Sequence, residues 1–353
     1  MHGQYRSGRS RRGVFRMKIL IVKLSAFGDI IHSLPALHDL LARPDVQEVH
    51  WLVDARYGFV TDIFPPQVKV HKVELRGKSP VRSAWRAVRA LRNEHFNAVL
   101  DLQGLGKSAI LAALAGSPVY GMDEKHLREK VSRLFLRPVP FHADERHVVQ
   151  QYRRVAAAPF GDSAAAMLYS PPQAIPSELM LKTGEALLQH WKIAGKPHIW
   201  LHTGGGWETK QLPVSTWQQL AGKLLDEGFI PVLGWGSTAD KAVALSIRKE
   251  VPDALIPEHR LSMDALCGVL SRASAVVGPD TGVVHLAAAL GTPTVSFWGP
   301  SASWRSAPLG ESHLHIESNP ACGPCFKRQC GAFICMDMIR ADAIIAAIHE
   351  ITS

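Results

Sequence analysis

Cysteine is scarce, and what there is sits in one place. The chain has five in 353 residues, four of them between positions 322 and 335. A small secreted scaffold stapled by disulfides is excluded, and a reducing compartment is the default. Long hydrophobic runs are also missing. No stretch approaches the roughly 18 uninterrupted apolar residues that a membrane-spanning helix needs. There is no low-complexity tract, and 46% apolar with 20% charged residues is the composition of a folded chain, not a disordered one. Acid is absent from the first sixteen residues, which hold five arginines and no apolar core segment. Residues 1–16 therefore read as a disordered basic arm, or as chain upstream of a start at Met17, and not as a secretory signal. Aromatic and basic side chains are not interleaved as in RNA-reading modules, so no nucleic-acid partner is expected. The formal charge of +9 points instead to an anionic ligand, an anionic membrane surface, or both.

At this length two domains are the starting expectation. "MKILIVKL" from Met17 is a near-continuous apolar run, the mark of a buried parallel strand. Helix "DIIHSLPALHDLLA", strand "EVHWLVD", a helix near "RYGFVTDIF", strand "VKVHKVEL", helix "SAWRAVRALRNEH" and strand "NAVLDLQG" follow. Strands alternating with helices predict an α/β fold on a parallel sheet. Three prolines in "YSPPQAIPSE" mark a linker, after which the alternation restarts and runs through "PTVSFWG". The expected organisation is a first domain over 17–172, a second over 178–335, and a terminal helix in 336–353 that packs back on the first. Two doubly wound domains facing one another place a ligand cleft between the carboxyl ends of their strands.

Two strand ends carry phosphate-like elements. In "VVGPDTGVVHLAAALG", Asp280, Thr281 and Gly282 open a helix whose free N–H groups suit an anion, although an Asp-Thr pair there is also a plain N-cap. In "LHTGGGWETKQLP", three successive glycines after a strand, Gly204 to Gly206, let backbone amides approach a pyrophosphate, Lys210 adds a point charge, and Thr203, Gly204 and Gly205 are candidate donor contacts. The loop is neither a Walker A nor a G-x-G-x-x-G fingerprint. Two such loops in one domain indicate a nucleotide diphosphate. In the first half, "LSAFGDIIHSLPAL" sets Asp29 at the mouth of an otherwise apolar turn, where it reads as a cap of the following helix or as a functional acid.

"ILIVKLSAFGDIIHSLPAL", "DLQGLGKSA", "GMD" with Arg128, "HTGGGWETKQLP", "LGWGSTAD" and "GPDTGVVHLAAALGTPTVSFWGP" occur in this order from Met17 onward. In them the chain resembles glycosyltransferase family 9, the ADP-heptose:lipopolysaccharide heptosyltransferases. The pairing of K-x-x-x-x-G-D (Lys23 to Asp29) with D-T-G-x-x-H (Asp280 to His285) carries the resemblance most specifically. It implies a GT-B architecture: two facing Rossmann-like domains with parallel sheets, acceptor on the first and ADP-sugar on the second. It also implies inverting transfer with no cofactor required. Asp29 matches the catalytic aspartate, placed to take the proton of an acceptor hydroxyl. On the donor side Lys210, Thr281, Gly282 and Val283 match the contacts to the diphosphate, and Asp280 and His285 match positions at the sugar and phosphate. Asp240 matches the ribose-binding acid, one methylene shorter than the usual glutamate. Leu261 lies in the loop "EHRLSMD", which would shape the adenine and heptose pocket.

Acceptor contacts fall on Ser25, Arg76, Lys78 and Arg128, the three cations suiting Kdo carboxylates or lipid A phosphates, or else forming a solvated basic surface. Lys23 reads equally as structural or as facing the acceptor. Cys322, Cys325, Cys330 and Cys335 are spaced C-x2-C-x4-C-x4-C, tight enough for zinc or an iron-sulfur cluster. Their separation from the donor motifs favours a structural clip, by metal or disulfide, or four reduced thiols; no firm metal is assigned. Cys267 lies in an apolar helix stripe and reads as core. The expected activity is transfer of heptose from ADP-heptose to the Kdo-lipid A inner core, by an enzyme peripheral to the cytoplasmic face of the inner membrane. Addition of heptose to heptose is the alternative, and a non-catalytic nucleotide-sugar or nucleic-acid binding module is the third reading.

Overall fold

In the computed structural model, which describes residues 16–162 and 165–352, two parallel sheets form two lobes around a shared cleft. Apart from Arg16, the expected basic arm lies outside the described residues. The first lobe runs β1 (Met17–Val22), α1 (Phe27–Ile31), α2 (Leu34–Leu41), β2 (Val46–Asp54), β3 (Lys69–Val73), α3 (Pro80–Asn93), β4 (Ala98–Asp101), α4 (Gly106–Leu114), β5 (Val119–Gly121), β6 (Arg137–Pro138) and α5 (Val148–Ala157). Its sheet is ordered β3-β2-β1-β4-β5-β6. β1 is central, and Ile19, Leu20, Ile21 and Val22 are all fully buried. That is why its sequence is an unbroken apolar run instead of an alternating one.

The second lobe runs α6 (Glu178–His190), β7 (His198–His202), α7 (Val214–Asp226), β8 (Ile230–Gly234), α8 (Thr238–Glu250), α9 (Met263–Leu270), β9 (Ala275–Pro279), α10 (Gly282–Ala289), β10 (Thr294–Trp298), α11 (Ser303–Ser306), β11 (His313–Glu317) and α12 (Ala341–Thr352). Its sheet is ordered β11-β10-β9-β7-β8. In both sheets the strand order reverses once, between β1 and β4 and between β7 and β9. Ligands of doubly wound sheets bind at such points, beyond the carboxyl ends of the strands. β1 leads directly to Asp29 and β9 to Asp280, so both acidic motifs stand at switch points.

Three expectations are corrected. The single helix over 29–42 is two, α1 and α2, because the chain turns at His32–Ser33 and Pro35 opens the second. The helix near 56–64 is a 3-10 segment, Ala55–Ile63, capped by the Asp54 carboxylate on the Arg56 N–H. The terminal helix does not return to the first lobe. Ile344, Ile345, Ala347 and Ile348 of α12 bury in the second-lobe core with Leu220 and Leu224 of α7 and Phe297 of β10. Lys223 to Asp342 at 3.0 Å and His349 to Glu227 at 2.8 Å tie its ends to α7 and the turn after it. The apolar stripe of α12 matches the sheet face that α7 leaves uncovered, which accounts for the docking.

The lobes meet closely. A Cβ built on Gly282 would lie 2.4 Å from ring atoms of Phe27, and one on Gly28 would lie 2.8 Å from His285 Cδ2. Glycine at both positions lets α1 approach the start of α10.

Candidate active site

Two adjoining cavities occupy the cleft, of about 610 and about 740 Å³. Both are lined by Phe27, Gly206, Thr281 and Gly282. The smaller takes residues from both lobes: Asp29, His32 and Arg128 from the first, and Lys210, Asp280 and His285 from the second. The larger belongs mostly to the second lobe, with Gly204, Gly205, Asp240, Leu261 and Val283 in its wall.

Asp29 is the third residue of α1, and its Oδ2 accepts from the Ala26 N–H at 3.4 Å and from Arg128 Nη2 at 3.2 Å. It therefore caps its own helix and also faces the cavity. Among the described residues Oδ1 takes no hydrogen bond. Burial works against its charge, but Lys23 and then Arg128 outweigh it and hold the carboxyl well below the usual range. Lys23 is fully buried behind it, donating to the Leu102 carbonyl at 2.8 Å and to the Tyr152 hydroxyl at 2.6 Å. Burial lowers the Lys23 ammonium to about 8 even though Asp29 supports it. Lys23 thus acts from inside the lobe and does not face an acceptor. The preceding loop is held by Gln103, whose Oε1 accepts from the N–H groups of Leu24 and Ser25 at 3.1 and 3.0 Å.

Across the cleft, Asp280 makes three contacts to two side chains. Its Oδ2 accepts from Lys210 Nζ at 2.5 Å, its carbonyl from the same Nζ at 3.0 Å, and its Oδ1 pairs with His285 Nε2 at 3.0 Å. Burial opposes the charge, but His285 and Lys210 hold this carboxyl far below its ordinary value. The pairing decides the N-cap question. Asp280 bonds the His285 side chain of α10 and Lys210 instead of the first N–H groups of the helix, and Thr281, the N-cap residue, makes no side-chain cap. Its buried hydroxyl has no partner among the described residues, nor has His285 Nδ1. The first N–H groups of α10 therefore open on the cavities uncapped, with the positive end of the helix dipole behind them. The smaller cavity is lined by four basic side chains, Arg128, Lys210, Arg305 and Arg328, against two carboxylates, Asp29 and Asp280. Such a surplus suits a polyanion.

Beyond this, Asp240 is pinned as the partner of Ser237 at the start of α8, accepting from the N–H groups of Gly236 and Ser237 at 3.2 and 2.9 Å. A Cβ on Gly204 would stand 2.6 Å from Asp240 Cγ, so glycine there lets the loop after β7 pass beneath the acid. Thr203 is buried and its hydroxyl donates to the Gly234 carbonyl at 3.2 Å, outside both cavities. Ser25 also lies outside them, one residue before the lining Ala26. Arg76 and Lys78 are exposed on the loop after β3 and line neither cavity.

The cysteine segment proves nearer than its place in the chain indicates. Residues 321–340 form no helix or strand, and Phe326 and Arg328 within them line the smaller cavity. The Thr209 hydroxyl donates to the Lys327 carbonyl at 2.7 Å, tying the segment to Lys210's own turn. The separation in sequence that favoured a remote clip is thus not a separation in space. Burial, then Cys325 and Cys322, raise the Cys335 thiol. Among the described residues, however, only His50, His71 and Glu94 bring three ligating atoms within 4.8 Å of one another, so the four sulfurs do not form a ready metal cage. Cys267 is core, its thiol pushed up to about 12 by burial.

Sequence reasoning missed Tyr57, His32, Arg305, Phe326 and Arg328, all of which line the smaller cavity. His32 is 5% exposed, with neither ring nitrogen partnered among the described residues and its ring 4.2 Å from that of His285. Burial, then His285 and His147, keep it neutral. None of these lies in a glycine-rich or acidic motif; only His32 falls beside one, three residues after Asp29.

Comparison with known proteins agrees with this geometry. The family model described as glycosyltransferase family 9 (heptosyltransferase) matches residues 84–333. Lipopolysaccharide heptosyltransferase 1 of Pseudomonas aeruginosa is 32% identical over 329 residues, covering 89% of this chain and 87% of that protein. Its namesake from Escherichia coli K12 is 30% identical, covering 81% and 88%. The solved structure of E. coli heptosyltransferase WaaC with ADP-2-deoxy-2-fluoro heptose superposes with a TM-score of 0.72 at 26% identity, covering 95% of this chain and 99% of that one. The two Rossmann-like lobes are a GT-B fold, and the chain belongs to glycosyltransferase family 9, the heptosyltransferases.

Proposed function

We propose that the chain transfers L-glycero-D-manno-heptose from ADP-heptose to the Kdo of Kdo-lipid A with inversion, acting from the cytoplasmic face of the inner membrane. One observation carries the reading: the Asp29 carboxylate of one lobe and the Lys210, Asp280 and α10 amide group of the other open on the same cavity. In the reaction the acceptor O–H bond breaks and its proton passes to Asp29. The acceptor oxygen bonds to the anomeric carbon as that carbon's bond to the ADP oxygen breaks on the opposite face. Lys210, Arg328 and the open amides of α10 hold the charge that builds on ADP. The larger cavity, with Asp240 and Leu261, takes the nucleoside.

A carboxylate held as low as Asp29 is a weak base in the free enzyme. The hydroxyl, however, becomes acidic as its oxygen bonds to an electron-poor carbon, so proton transfer late in the reaction runs downhill. An acceptor carboxylate drawn to Arg128 would also take a neighbouring positive charge from Asp29 and raise its basicity just when it is needed. Among the described residues no helix is long and apolar enough to cross a membrane, so a lipid-anchored acceptor calls for peripheral contact.

The test is incubation of the purified protein with ADP-heptose and either Kdo-lipid A or its mono-heptosylated form. Transfer to the first is expected. Transfer to the second alone would make it the enzyme that adds heptose to heptose, and binding of ADP without transfer to either would leave only a binding module.

A further inference from the structure

We propose that the face of the first lobe built by α3, the outer side of α4 and the 3-10 turn Lys130–Phe135 is the surface that docks on an anionic lipid bilayer. The inference rests on the lipid-anchored acceptor proposed above and assigns the contact to particular side chains.

The sequence of α3, PVRSAWRAVRALRN, carries four arginines and no acid, and it buries only Ala87 and Leu91. Its outward side leaves Val81 81% and Trp85 60% exposed. A solvent-facing helix normally turns polar residues outward. This one turns out a tryptophan and a valine among arginines, the pattern of a helix lying in a membrane interface. The Arg89 guanidinium lies 5.5 Å from the Trp85 ring centroid, so charge and ring point the same way. Among the described residues the arginines of α3 have no ion-pair partner.

The patch extends sideways. α4 packs on both α3 and the Lys130–Phe135 turn. It leaves Ile110 and Leu114 about half exposed, and the turn exposes Leu134 to 79%. Lys130 and Arg133 stand on the same turn as Leu134; Arg133 pairs with Glu124 at 2.7 Å, and among the described residues Lys130 has no ion-pair partner. Glu124 and Glu129 lie beside the turn, so the rim is mainly but not wholly basic, and an apolar area rimmed in this way marks an interaction site. The charge selects the partner: unpaired arginines with no acid between them suit a surface of anionic head groups more than a protein of mixed charge.

The position fits the chemistry. Arg128, which touches Asp29, precedes Lys130 by two residues, so the chain passes straight from the reaction cavity onto the patch. Arg76 and Lys78, exposed and outside both cavities, lie just ahead of α3 in the chain and add two further cations beside its start. A lipid standing in a bilayer under this face presents its head group at the mouth of the cleft.

The test is flotation of the full chain with vesicles of phosphatidylcholine alone or mixed with phosphatidylglycerol. It compares wild type, the charge-reversed R86E/R89E variant, and the polar W85S/L134S variant, with circular dichroism as the check on folding. All three share residues 1–15, so differences belong to the patch. Wild type should float only with the anionic vesicles, and less at high salt. At about five-fold per basic residue near an anionic surface, R86E/R89E should weaken binding by at least about 25-fold. W85S/L134S should weaken it too, and should slow transfer to vesicle-embedded acceptor while leaving turnover of a delipidated, water-soluble acceptor unchanged. Variants that float like wild type, wild type that ignores anionic vesicles, or an equal loss on the soluble acceptor would each overturn the assignment. If wild type transfers to neither acceptor, the proposed activity fails, while flotation still decides the docking face.

Discussion

Replacing Gly282 by alanine separates two reasons for glycine at the start of α10. One is that only a bare Cα lets a diphosphate reach the helix amides; the other is that the first lobe needs the space. The structure favours the second, since the new methyl would stand 2.4 Å from Phe27 Cγ and Cδ1 and 2.8 Å from Phe27 Cβ. Real Cβ atoms do not approach so closely, so either the Phe27 ring, now edge-on to Phe59 with centroids 5.6 Å apart, must swing away, or the lobes must part. Overpacking of this kind costs about 1–3 kcal/mol. If the strain falls on closure, kcat/KM for transfer drops by about 5- to 150-fold. Titration calorimetry with ADP should find binding nearly unchanged, because Lys210 and the amides of α10 all lie in the second lobe. Phe27→Ala in the Gly282→Ala background should recover part of the lost rate. A fall in ADP affinity as large as the fall in kcat/KM, with no rescue by Phe27→Ala, would refute the lobe-contact argument and return the glycine to phosphate approach.

Lys210→Met removes a charge-assisted contact and should weaken ADP binding by about 10- to 150-fold; unchanged affinity would make Lys210 only the counter-ion of Asp280. Arg154 and Glu145 form a buried bidentate pair, 2.6 Å at the closest and 2% and 0% exposed. Arg154→Met should lower unfolding free energy in urea by about 3–5 kcal/mol, with a loss under 1 kcal/mol contradicting a structural role. The Asp29 carboxyl, depressed by Lys23 and Arg128 against its burial, stays ionised until the pH falls through that lowered value. The transfer rate should therefore show no acid limb from about pH 8 to about pH 5. Lys23→Met should move the limb up into that window, and an unmoved profile would mean that Lys23 does not set the charge of Asp29.

The alternation of the sheets was legible because parallel strands buried on both faces are written as apolar runs: "ILIV" in β1 and "AVVG" in β9 have no other stable place. Asp29, Lys210 and Asp280 could be named because each follows such a run within a few residues. Arg305, Phe326 and Arg328 could not. They reach the cavity through segments of irregular or single-turn structure, set by tertiary ties such as the Thr209 hydrogen bond to the Lys327 carbonyl, and local pattern does not encode a contact across 118 residues. The docking of α12 was misread for a related reason. Its stripe of isoleucines announces burial but not which lobe receives it. Arg76 and Lys78 were read as acceptor contacts, yet they are exposed and line neither cavity: charge alone did not tell a pocket from a surface.

In the proposed reaction Asp29 takes the proton of the acceptor hydroxyl. Asp29→Asn keeps the shape and can still accept from Arg128, so it isolates the lost basicity. Measured side by side, the transfer rate should fall by about 10²- to 10⁴-fold while the Kd for ADP stays within a factor of about two. Transfer within a few-fold of wild type, or a parallel collapse of ADP binding, would contradict the account.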